Sequence, residues 1–229
     1  IYFVASGSAY HVSCTAQYAI EALTGIPVRV DLASEFRYRN PLLRPSDLVI
    51  VISQSGETAD SLAALRLAKE QGCHTLAIVN VIGSSIAREA DDVLYTIAGP
   101  EIAVATTKAY STQLIVCYIL AVAWAFAKGR IDEEKVKELT DELMTLPSKM
   151  QRILEDKERI QWFAAKFAAA RDAFFIGRGI DYATAMEGSL KMKEISYVHS
   201  EAYAAGELKH GTISLIEDGV LTVGVLTQP

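Results

Sequence analysis

I-Y-F-V-A-S-G-S-A-Y, Ile1 to Tyr10, returns as A-F-F-I-G-R-G-I-D-Y at Ala173 to Tyr182, an offset of 172 residues. In both places a short apolar run stops at a glycine turn. The same offset carries Gly7 onto Gly179, Tyr10 onto Tyr182, and A-S-E-F (Ala33 to Phe36) onto A-G-E-L (Ala205 to Leu208). Self-similarity at a fixed spacing predicts two domains of one fold. The second stretch has only Ala173 to Pro229 in which to build its copy, so it is expected to be incomplete at its C-terminus. The chain opens on its first strand, so a domain could precede Ile1.

Outward from that repeat, β-branched runs bounded by Gly, Ser or Asn occur at Ile1 to Ala5, Val28 to Leu32, Leu48 to Ser53, Thr75 to Asn80 and Val93 to Ile97. They read as buried parallel strands. Helical patterns lie between them at His11 to Leu23 and Ala59 to Gln71, with Gly25 and Gly72 as stops, and a short turn at Ser84 to Ala90. Alternation of this kind predicts a doubly wound parallel five-stranded sheet in an α/β fold. A helix from about Thr107 to Lys128 closes the first domain. Two charged helices, Asp132 to Leu146 and Lys149 to Ala170, are expected on either side of Pro147. The organisation predicted is therefore a first domain over 1–130, a helical connector over 131–172, and a second domain over 173–229.

Composition narrows the function. A net charge of −6 without long like-charge runs gives no footprint for nucleic acid or an acidic membrane surface. The apolar run at Leu114 to Phe126 is shorter than the ~20 residues of a membrane span and reads as a buried helix. Cys14, Cys73 and Cys117 are odd in number and lack metal-ligand spacing, which fits reduced core thiols and a cytoplasmic location.

Ligands of open α/β sheets bind outside the carboxyl ends of the strands. There the third strand ends in S-Q-S-G-E-T, Ser53 to Thr58, directly ahead of a helix. Short donors and backbone N–H groups at a helix start make a phosphate cradle. Ser and Thr also cap helices there, and these residues alone leave both readings open. Ser6, Gly7 and Ser8 stand at the adjacent strand end, and Thr106 and Thr107 precede the long helix. Neither a G-x-x-x-x-G-K-[ST] loop nor a full G-x-G-x-x-G is present, which disfavours nucleoside triphosphates and dinucleotide cofactors. No histidine pair has metal spacing, so no metal is expected.

The densest chemistry lies in Met186 to Gly211, M-E-G-S-L-K-M-K-E-I-S-Y-V-H-S-E-A-Y-A-A-G-E-L-K-H-G. Glu187, Lys191 and Glu194 fall at i, i+4 and i+7, on one helix face, and Glu207, Lys209 and His210 follow at a turn. Carboxylate, cation and imidazole are the residue types a proton-transfer enzyme needs, although such a stripe is also an ordinary ion-paired surface.

These residues together resemble the sugar isomerase (SIS) domain family. The likeness covers nearly the whole chain, through A-S-E-F-R-Y-R at Ala33 to Arg39, S-Q-S-G-E-T-A-D at Ser53 to Asp60, T-K-A-Y-S-T-Q at Thr107 to Gln113, and K-E-I-S-Y…E-A-Y-A-A-G-E-L-K-H-G from Lys193 to Gly211. It implies a flavodoxin-like three-layer αβα fold. Within the family the likeness is to the branch that makes glucosamine 6-phosphate from fructose 6-phosphate and ammonia, the ammonia coming from glutamine in a separate glutaminase domain. By that resemblance Ser53, Gln54, Ser55 and Thr58 hold the phosphate with help from Ser8, and Val104 and Thr106 contact the sugar. Glu194 would move the proton between C1 and C2, with Lys191 beside it. His210 would assist ring opening, reaching the site of a neighbouring subunit in a homodimer. Two departures are visible: Ala9 stands where the family has a hydroxyl, and the imine-forming lysine of the family's tail is not reached by Pro229, so residues 1–229 alone are expected to be inactive. A stand-alone phosphosugar isomerase or deglycase and a non-catalytic sugar-phosphate sensor remain as alternatives.

Overall fold

The computed structural model describes residues 1–228, which fall into two compact units, Ile1–Trp124 and the stretch from Ala125 onward. In the first unit the chain runs β1 (Tyr2–Ala5), α1 (Ser8–Thr24), β2 (Arg29–Leu32), α2 (Ala33–Phe36), β3 (Leu48–Ser53), α3 (Ala59–Glu70), β4 (His74–Val79), α4 (Ser85–Glu89), β5 (Asp92–Tyr95) and into α5 (Lys108–Ala127). The five strands are all parallel, in the order β2-β1-β3-β4-β5.

Strand alternation sorts the core into two layers. Tyr2, Val4, Val49, Val51, Ala77 and Val79 face α2, α3 and α4 through Ala33, Phe36, Ala64, Leu65, Ala68 and Ile86. Phe3, Ala5, Ile50, Ile52, Leu76 and Ile78 face α1 and α5 through Val12, Ala16, Ile20, Cys117 and Ala121. Because both faces are covered, the strands carry apolar residues at consecutive positions, which is what made them legible as parallel. Truncating a fully buried residue such as Ile50 is a change that costs about 2–5 kcal/mol.

The predicted strand at Val93 to Ile97 is shorter than expected. It ends at Tyr95, and Ile97 takes a left-handed φ of +50° that no strand continues through. The last helix of the unit, α5, runs Lys108–Ala127, within a residue at each end of the helix expected from about Thr107 to Lys128. At 20 residues it is long and apolar enough to cross a membrane. Its face at Ala109, Gln113, Cys117 and Ala121 is buried, and Cys117 and Ala121 join the core layer over β1 and β3. The three cysteines are free, and burial pushes the Cys117 thiol up to about 12.

The second unit contains α6 (Glu133–Glu155), α7 (Lys157–Lys166), β6 (Asp172–Gly177), α8 (Ile180–Ser196), β7 (His199–Ala204), two short 3-10 turns (Leu208–His210 and Thr212–Leu215) and β8 (Leu221–Gly224). Its strands are parallel in the order β7-β6-β8. The break expected at Pro147 is absent: α6 runs through it, and the interruption comes at Asp156. No residue of the helix is buried, and the hydroxyls of Thr145 and Ser148 donate to the carbonyls of Glu142 and Thr145 at 2.7 and 2.8 Å on the turns around Pro147. Asp132 caps its start, accepting from Lys135 N–H at 2.8 Å.

Candidate functional site

β1 and β3 are neighbours, yet the chain leaves β1 toward β2 on one side and returns as β3 on the other. This is the topological switch point of the sheet, where the two outgoing loops diverge and leave a crevice. A cavity of about 190 Å³ opens there, lined by Ser6, Ser8, Ala9, Ile52, Ser53, Gln54, Ser55, Thr58, Ser61, Thr106 and Gln113. Ser8, Ser53, Gln54, Ser55, Thr58 and Thr106, all singled out in the sequence, are therefore brought together by the fold. Val104 is not on that wall and is 94% exposed.

The loop after β3 is held by its own side chains. Ser53 Oγ accepts the Gly56 N–H at 3.0 Å and shares a hydrogen bond with Thr58 Oγ1 at 3.0 Å. Ser55 Oγ accepts the Glu57 N–H at 3.2 Å. Gly56 makes the turn possible: its φ is +67°, and a Cβ there would stand 2.0 Å from Ser84 Oγ. Glu57, the one acid in the loop, is turned away, its carboxylate accepting the Ser85 N–H at 2.8 Å at the start of α4. The Ser85 side chain first, and then its N–H, hold the Glu57 carboxyl below its ordinary value.

Two helices begin on the cavity, α1 after Gly7 and α3 after Thr58, and neither has a side chain capping its first N–H groups. The positive ends of two helix dipoles directed at one cavity favour an anion. Lys and Arg are absent from the lining, so an anion here would be held by neutral donors.

In the second unit the acid–base residues stand on α8, which starts after Gly179 and ends where Tyr197 turns left-handed at φ +60°. Glu187 is buried, and Lys191 Nζ lies 3.5 Å from its Oε1 while also hydrogen-bonding Glu194 Oε2. One half-buried cation thus bridges two carboxylates, which is the pairing a buried Glu187 requires. Carboxylates held this way are the residue type that a proton-transfer step uses. His210 is exposed in the first 3-10 turn, its Nε2 4.0 Å from Glu207 Oε1.

Ser61 and Gln113 line the cavity but escaped the sequence reading. Ser61 lies three residues past Thr58, the spacing that keeps it on one helical face with the loop. Gln113 is the one polar member of the buried α5 face Ala109, Gln113, Cys117 and Ala121, a polar interruption that periodicity can find.

The SIS domain family model matches residues 1–123 and 166–229. A glutamine–fructose-6-phosphate aminotransferase (isomerizing) of Clostridium tetani is 58% identical over 228 residues, all of this chain and 38% of the relative. Its counterpart in Caldanaerobacter subterraneus subsp. tengcongensis is 59% identical over 228 residues, again with 38% of the relative covered. Among solved structures, the C-terminal domain of glucosamine-fructose-6-phosphate aminotransferase from Francisella tularensis superposes with a TM-score of 0.95 at 40% identity, covering 97% of this chain and 63% of that one. The chain thus spans little more than a third of the length of the curated relatives it matches.

Proposed function

Because the chain belongs to the SIS domain family, we propose that it is the sugar-handling region of an isomerizing glutamine–fructose-6-phosphate aminotransferase. The reaction joins fructose 6-phosphate with ammonia, loses water and yields glucosamine 6-phosphate, the ammonia coming from a glutaminase domain of the longer protein. The observation that carries this reading is the hydroxyl-lined cavity onto which the uncapped starts of α1 and α3 both open.

In this proposal Ser55, Gln54 and Thr58 bind the phosphate with Ser8, and Ser53 shapes the turn that presents them. Clamping the phosphate converts binding energy into orientation of the sugar carbons at the other end. Thr106 and Val104 contact the sugar. Glu194 takes a proton from C1 and returns one at C2 through an enamine, and Lys191 balances the charge of the carboxylate. His210 assists ring opening, across a homodimer. A sensor would need the cradle but not the Glu187–Lys191–Glu194 set, which favours catalysis over sensing. We place the enzyme in the cytoplasm, with a first SIS domain over 1–130, a connector over 131–172 and a second SIS domain over 173–229.

Calorimetric titration with fructose 6-phosphate, glucose 6-phosphate and unphosphorylated fructose tests the reading. Binding of the phosphorylated sugars but not of fructose is expected. Failure of both phosphosugars to bind would end it.

A further inference from the structure

Serine and threonine hydroxyls inside this protein's helices normally satisfy themselves on the preceding turn. Ser13, Thr15 and Thr24 donate to the carbonyls of Ala9, His11 and Ile20 at 2.9, 3.1 and 2.7 Å. Ser61 does not. It is fully buried, and its Oγ has no hydrogen-bond partner. The residue four positions back is Glu57, which lies ahead of the helix, because α3 begins only at Ala59. The usual acceptor is therefore not presented, and a buried hydroxyl left unpaired costs free energy that something must offset. Ser84 Oγ is likewise buried and unpaired, but it is wedged against Gly56 and is not on the cavity wall. Ser61 is on that wall.

Resting on the phosphosugar reading above, we infer that Ser61 is a further ligand-contacting residue, its hydroxyl donating a hydrogen bond to a phosphate oxygen held at the start of α3. The chemistry suits both sides. A phosphate dianion offers only acceptors, a serine can donate, and the neighbouring N–H groups of the uncapped helix point to the same anion. The buried carboxamide of Gln113 adds a second neutral group on the same wall, so the inner part of the cavity is polar without being charged. Ser61 thus completes a cradle that relies on hydroxyls and amides in place of a lysine.

The test compares wild type with Ser61→Ala by calorimetry, using inorganic phosphate and fructose 6-phosphate as probes, and by thermal melting without ligand. The variant loses no bond inside the unliganded protein, so it is expected to melt at or above the wild-type temperature. Its affinity for inorganic phosphate is expected to fall about ten- to a hundredfold, as for loss of a hydrogen bond to a charged group. Phosphate affinity unchanged within about twofold of wild type, a margin far below that loss, would overturn the assignment. So would a clear drop in melting temperature without ligand, since the hydroxyl would then be serving the fold. If wild type binds inorganic phosphate and Ser61→Ala weakens it while fructose 6-phosphate is refused, the Ser61 assignment stands and the phosphosugar reading falls. If wild type binds neither probe, both fall.

Discussion

Gly7 and Gly179 hold one backbone conformation, φ +58° and ψ −133° against φ +57° and ψ −126°, and each stands directly before a helix of 17 residues. The correspondence runs on at the repeat's offset: Gly25 and Tyr197 close those helices in the left-handed region, and β3 and β8 each flank the strand that precedes the glycine. This combination of φ and ψ is open to glycine and strained for other residues.

Gly7→Ala is therefore expected to destabilise the protein by about 1–3 kcal/mol through backbone strain alone. No atom lies within 4 Å of the added Cβ, so the loss is not a clash. Conversely, Tyr197→Gly relieves an exposed left-handed residue and is expected to gain up to about 1 kcal/mol. Chemical denaturation of both variants reads the two signs; a neutral Gly7→Ala would sink the argument from strain.

Gly56→Ala meets both problems at once, a φ of +67° and a Cβ 2.0 Å from Ser84 Oγ. The loop from Ser53 to Thr58 cannot keep its shape, and phosphate binding is expected to be lost while the rest of the sheet still folds. Circular dichroism alongside calorimetry separates local from global damage.

Ser55→Ala is expected to weaken fructose 6-phosphate by about 1.5–3 kcal/mol, the range for a hydrogen bond to a charged group. Because no Lys or Arg lines the cavity, wild-type affinity should change little between low and moderate salt. A steep salt dependence would mean that a cation from elsewhere completes the site.

In the longer protein that the proposed function implies, Glu194→Gln is expected to abolish nearly all isomerisation while leaving sugar-phosphate binding close to wild type. Glutamine keeps the shape of glutamate but cannot accept the proton, so the loss belongs to kcat. Exchange of substrate hydrogen with heavy water is the direct readout, and normal exchange in the variant would move the base elsewhere.

Asp91 fastens the loop between α4 and β5 to the start of β4. Its carboxylate accepts from Lys69 Nζ at 2.8 Å, Thr75 N–H at 2.9 Å and Thr75 Oγ1 at 2.7 Å. These bonds, Lys69 first, hold its carboxyl down from 3.8 to about 2. A depressed folded-state value adds stability that is complete above the ordinary value and is lost as pH falls through the folded one. Asp91→Asn should thus melt below wild type at pH 7, and the gap should close between about pH 3.8 and pH 2. A gap unchanged across that window would show that the hydrogen bonds, not the charge, carry the effect.

Much of this was legible in the chain itself. Consecutive apolar residues at Val49 to Ile52 and Leu76 to Val79 announced strands buried on both faces, because only a covered parallel sheet tolerates them. The S-Q-S-G-E-T loop was legible as a turn of donors ahead of a helix, which fits a phosphate cradle and a helix cap alike. The end of β5 at Tyr95 and the passage of α6 through Pro147 were not legible, since neither the left-handed turn at Ile97 nor a helix that tolerates a proline leaves a mark in residue type.

The sequence by itself determined the repeat, the parallel sheet and the residue types that could meet a phosphate. Only the tertiary structure decided which of them meet: the switch point brings loops from β1 and β3 together, and α5 with the loop ahead of it carries Gln113 and Thr106 to them from far along the sequence. It also decided that Ser61 is buried without a partner while Ser13 is not. Pairing depends on where a helix begins in space relative to its neighbours, and that is a property of the packed layers rather than of any local stretch of chain.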